Sequence, residues 1–103
     1  MVEITTGRAG QTVITTFECS PGTCADLLEA LNSAYAEFIS KQPGFLAAGL
    51  HVNDAQTRIA NYSQWERRDD FQAMLRSDEM RKRNREIAAL SSRFEPVMYE
   101  VSA

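Results

Sequence analysis

Apolar residues recur along this chain with two different periods, and the order in which those periods alternate leaves few folds open. "QTVITTFEC", from Gln11 to Cys19, is rich in β-branched residues with loose alternation, the pattern of a strand. "SPGT" then supplies turn chemistry, with Thr23 read as a helix N-cap and Asp26 three positions on. From Ala25 to Lys41, Leu27, Leu31, Ala34 and Phe38 return at helical spacing. Leu28, Tyr35 and Ile39 widen that stripe until Gln42-Pro43-Gly44 ends it. "FLAAGLHVN" and "TRIANYSQW" read as the two strands of a hairpin joined around "DAQ". Arg68 to Leu90 reads as helix, broken near Ser77-Asp78, where Ser77 can cap a new start. "EPVMYEV" is a closing strand.

Strand, helix, strand, strand, helix, strand is the order of the split βαβ, or ferredoxin-like, arrangement, so the chain is expected to be an α+β domain. One antiparallel sheet then carries helices on a single face. At 103 residues the chain is expected to form one domain spanning residues 1–103, with a thin core. No apolar run approaches the roughly 20 residues of a membrane span, so no membrane partner is expected. "MVEITTGRAG" lacks a basic start followed by an apolar stretch, which predicts no signal peptide and a cytoplasmic location. Lys and Arg cluster between Arg67 and Arg85, but Glu66, Asp69, Asp70, Asp78 and Glu79 are interleaved and the net charge is −3, against nucleic-acid binding. Cys19 and Cys24, with one histidine in the chain, form no metal spacing and are expected to be reduced spectators.

The third strand carries the chemistry. Side chains alternate along it, so Arg58, Ala60, Tyr62 and Gln64 oppose Ile59, Asn61, Ser63 and Trp65. The second set is expected to face the helices, where each unpaired amide or hydroxyl would cost about 1–3 kcal/mol unless it met an internal partner or a ligand. Pairing His51 opposite Ile59 would bring the histidine to the same face; a slip of one residue would reverse this. Phe71, Met74 and Leu75 lie at spacings that face the sheet, while Arg81, Asn84, Arg85 and Ala88 form another stripe from which Arg85 is expected to enter the same space. Taken singly these have ordinary readings: Trp65 as core, His51 as surface, Arg85 as the partner of Glu86 or Asp78. Tyr62 with Leu46, Ala48, Leu50 and Val52 is assigned to the opposite face, whose half-apolar character predicts a homodimer packed sheet on sheet.

"PGFLAAGLHVN" followed by "ANYSQWERRDDFQAML", with "TFECSPG" before the first helix and "YEV" at the end, resembles the antibiotic biosynthesis monooxygenase family. Within it the likeness is to the cofactor-independent, quinone-forming actinorhodin-pathway type, which oxidises anthrone-type phenols. The resemblance implies a dimeric α+β barrel that uses dioxygen and an aromatic polyketide, with no cofactor and no metal. It implies catalytic roles for Asn61, Trp65, His51 and Arg85, with Ser63, Phe71 and Met74 beside the substrate. Phe71 stands where that type has a tyrosine, which removes a phenolic hydroxyl from this position. Haem-degrading members need an axial histidine and a tryptophan where this chain has Asn84 and Met74, which counts against haem. A non-redox polyketide cyclase, or a dimeric barrel that only binds an aromatic ligand, stays open, since the same groups suit either.

Overall fold

The computed structural model describes residues 10–99. Its elements are β1 (Gln11–Glu18), α1 (Pro21–Glu37), a 3-10 turn at Ile39–Lys41, β2 (Phe45–Val52), β3 (Arg58–Trp65), α2 (Arg68–Arg76), α3 (Asp78–Leu90) and β4 (Arg93–Tyr99). The strands form one antiparallel sheet in the order β2-β3-β1-β4, the ferredoxin-like topology expected from the element order. The closing strand starts two residues earlier than expected, and the expected end at Val101 lies outside the described residues.

Helix starts follow local chemistry. Pro21 sits at the first position of α1, where its missing N–H costs nothing and its fixed φ suits a helix. That moves the cap back from the expected Thr23 to Ser20. Thr23 becomes the third helical residue, its Oγ1 accepting the Ser20 N–H at 3.2 Å. The break expected at Ser77 is present: Ser77 Oγ accepts the Met80 N–H at 3.2 Å and starts α3.

The core lies between the sheet and the helices. Val13 and Phe17 of β1, Ile59 and Trp65 of β3, and Leu27, Leu31 and Ala34 of α1 are buried there. Phe71, Met74, Met80 and Ile87 come from the second helical region. Arg83 ties α3 to α1, reaching Glu79 at 2.7 Å and Glu37 at 3.0 Å.

The β2–β3 pairing departs from expectation by one residue. Val52, not His51, lies opposite Ile59, and His51 pairs with Ala60. Ala48 and Leu50 pair with Ser63 and Asn61, so Ala48, Leu50 and Val52 share the helix-facing side rather than the outer face assigned to them. A bulge between Phe45 and Ala47 is the physical reason. It lets Phe45, three residues before Ala48, occupy the same face, which strict alternation forbids. Leu46 falls in the bulge without a pairing partner. The outer face therefore carries Ile14, Tyr62, Val97 and Tyr99, with His51 exposed at its edge.

Gly44 joins β2 to the end of β3, and its carbonyl accepts the Glu66 N–H at 2.7 Å. Its φ of +82° is a left-handed conformation, and a Cβ there would run into the Asp70 carboxylate. Gly44→Ala is expected to lower stability by about 2 kcal/mol, seen as a fall of about 8–16 °C in melting temperature. An unchanged melting temperature would show that the loop relaxes without cost.

Candidate functional site

Between the sheet and the helices lies a cavity of about 260 Å³. The sheet contributes Thr15 and Phe17 of β1 and Asn61, Ser63 and Trp65 of β3. Leu31 and Tyr35 close it from α1, Phe71 and Met74 from α2, and Met80, Asn84 and Ile87 from α3. Phe94 and Pro96 of the edge strand β4 line its rim, where Phe94 is 44% exposed. Every lining side chain is neutral, Tyr35 being the one that titrates.

Aromatic rings pack in a run beside the cavity, and all of them but Phe45 line it. Tyr35 stands 6.0 Å from Phe45, Phe45 is edge-on to Trp65 at 5.4 Å, and Trp65 is edge-on to Phe71 at 5.8 Å. Such edge-to-face pairs fix ring planes as well as filling volume. Trp65 is fully enclosed, and its Nε1–H donates to Ser63 Oγ at 3.2 Å. The Tyr35 hydroxyl donates to Asn61 Oδ1 at 2.6 Å. The buried polar groups that looked out of place in β3 are thus largely paired internally. Burial pushes the Tyr35 phenol above its ordinary pKa, and its hydrogen bond with Asn61 acts in the opposite sense.

The structure brings together Asn61, Ser63, Trp65, Phe71 and Met74 around one space. It does not bring His51 or Arg85 there. The register places His51 on the outer face beside Ala60, exposed. Arg85 is exposed because the inward stripe of α3 is Met80, Asn84 and Ile87, spaced four and three apart; one further residue turns Arg85 about 100° away from Asn84. Among the lining residues that sequence reasoning does not assign to the site are Tyr35 and Asn84. Tyr35 falls within an apolar stripe, and the signal that could single it out is that a buried tyrosine tip demands a partner. Asn84, between Met80 and Ile87, enters the sequence reading only as a member of the stripe from Arg81 to Ala88 and as a residue unlike a haem ligand.

Cys19 and Cys24 are free thiols. Among the described residues no group of three or more His, Cys, Asp or Glu is placed to hold a metal ion, and no helix is long and apolar enough to cross a membrane.

A small ferredoxin-like domain with a neutral, aromatic-walled cavity under its sheet is the class that fold and site define. The family model for antibiotic biosynthesis monooxygenases matches residues 11–86, and the chain belongs to that family. Tetracenomycin-F1 monooxygenase of Streptomyces glaucescens is 30% identical over 63 residues, 61% of this chain and 56% of that protein, so the match spans just over half of the curated relative. A monooxygenase from the gene ActVA-Orf6 of Streptomyces coelicolor, solved in complex with nanaomycin D, is 27% identical with a TM-score of 0.78, covering 93% of this chain and 90% of that one. SnoaB, a cofactor-independent oxygenase from Streptomyces nogalater, shares the fold with a TM-score of 0.82 at 20% identity over 92% of this chain and 95% of its own.

The raised pKa of Tyr35 has a definite sign for stability. Below the unfolded value of about 10 the neutral phenol's contribution is complete; as the pH climbs past it the unfolded chain ionises first, and stability falls. The wild-type protein is therefore expected to lose melting temperature faster than Tyr35→Phe between about pH 9 and 11. Parallel curves for the two proteins would show that Tyr35 titrates normally.

Proposed function

We propose that the protein is a cofactor-independent monooxygenase that oxidises an electron-rich aromatic polyketide, of anthrone or phenol type, to a quinone with dioxygen. The observation that carries this reading is the cavity, lined by the aromatic rings of Trp65 and Phe71, free of charge, and furnished with the amide of Asn61. Family membership and the nanaomycin D complex of the ActVA-Orf6 protein support the same substrate class.

In this reading the aromatic ring lies against Trp65 and Phe71, with Met74 filling the remaining space and Ser63 and Asn84 flanking it. Asn61 donates a hydrogen bond to the ionised oxygen of the substrate. No carboxylate, imidazole or amine lines the cavity, so the substrate proton is lost to water on entry. The substrate carbanion passes one electron to dioxygen; the resulting radical and superoxide join in a C–O bond and take up a proton. The hydroperoxide then loses water to leave a carbonyl, so that CH2 and O2 become C=O and H2O. The protein orients the ring, excludes bulk water and stabilises negative charge. His51 and Arg85 take no part in these steps.

The test is oxygen uptake by metal-chelated, flavin-free protein with dithranol, beside a no-enzyme control because anthrones autoxidise. Uptake above control is expected, with Asn61→Ala slowed by about ten- to a thousandfold and His51→Ala unchanged. A rate equal to the control, or one restored only by iron, haem or flavin, refutes the reading and favours a cyclase or a binding module.

The proposal extends to a homodimer in the cytoplasm. Val97 and Tyr99 are 36% and 46% exposed, and with Ile14 and Tyr62 they form the apolar part of the outer sheet face, which a second copy would cover. Sedimentation at micromolar concentration is expected to give twice the chain mass; monomer mass alone would overturn the dimer.

A further inference from the structure

The polar groups under the sheet have a direction. Indole is a hydrogen-bond donor only, so the 3.2 Å contact between Trp65 Nε1 and Ser63 Oγ makes the serine oxygen an acceptor. The single proton of Ser63 then faces away from Trp65. The Tyr35 hydroxyl gives its own proton to Asn61. The 2.6 Å separation agrees: it is ordinary for O–H···O and short for N–H···O, so the atom of Asn61 that meets Tyr35 is Oδ1. The amide nitrogen makes no hydrogen bond among the described residues and is left to the cavity that Asn61 lines.

We propose that the Tyr35 hydroxyl, by donating to Oδ1, locks the Asn61 amide with its NH2 toward the cavity, so that the site selects aromatic ligands bearing an ionised oxygen. Tyr35 is the positioning residue: without its proton the amide is free to turn and present Oδ1, which repels an anion. This gives the chain a phenol at the site even though position 71 is phenylalanine, and the phenol comes from α1 rather than α2. The N–H of Trp65 is already engaged by Ser63 Oγ, which leaves the amide of Asn61 as the donor offered to the ligand.

The inference deepens the reading that the cavity receives an ionised aromatic, and its test does not depend on oxidation. A hydroxyanthraquinone, already oxidised, is titrated against wild-type protein, Tyr35→Phe, Asn61→Ala and the double variant, across the pKa of its own phenol. Trp65, the only tryptophan, reports binding by fluorescence quenching. Wild-type affinity is expected to rise as the ligand ionises. Tyr35→Phe is expected to weaken binding of the anion by about five- to thirtyfold with little change for the neutral form, and the double variant to bind no worse than Asn61→Ala. Undiminished anion binding by Tyr35→Phe, losses that multiply in the double variant, or no binding by the wild type would each overturn the proposal. Wild type that binds as expected but consumes no oxygen would refute the oxygenase alone. Should Tyr35→Phe fold poorly, the side-chain amide protons of Asn61, assigned by their loss in Asn61→Ala, must shift in the NMR spectrum when the anion is added to wild type. Unshifted protons would overturn the proposal equally.

Discussion

An amide on the inner face of a sheet needs a partner, and the Tyr35 hydroxyl meets that need for Asn61 across the gap between α1 and β3. The contact spans 26 residues of sequence and fixes how closely the helix approaches the strand. With Trp65 bonded to Ser63 two residues along, β3 can hold two small polar side chains where valine or isoleucine would pack more tightly. Small polar groups leave room that larger apolar ones would fill. The cavity is therefore a consequence of the same pairing that keeps its polar wall from being destabilising.

The element order was legible because each element keeps its period over enough residues to be distinguished, and because Ser77 and Gly44 carry their punctuation openly. Asn61, Ser63 and Trp65 were legible as a shared face, since alternation within one strand needs no partner. What required two strands was less secure. The bulge at Leu46 and the five-residue connection from Asn53 to Thr57 together set the β2–β3 register, and nothing in "FLAAGLHVN" marks the extra residue. His51 and the set Ala48, Leu50, Val52 were misplaced by that single step, because a slip of one residue sends every side chain of an alternating strand to the other face. Arg85 failed for a similar angular reason, one residue beyond the inward Asn84. Tyr35 was visible at its true position but not in its role, because a stripe of apolar spacing does not say which strand residue its polar tip will meet.

A neutral cavity suits the ionised aromatic proposed as its ligand. An arginine in a space of about 260 Å³ with apolar walls would itself have to be stripped of water, and its attraction for the ligand would first have to offset that loss. An amide held by Tyr35 loses far less on burial, yet its N–H dipole is already aimed before the ligand enters, so no reorganisation is needed as charge develops. The structure leaves the two remaining expectations, His51 and Arg85, exposed to water, where they keep their hydration. On the proposed reading, selectivity would rest on orientation rather than on net charge: the face of the amide that Tyr35 leaves open would decide between a phenolate and a neutral phenol.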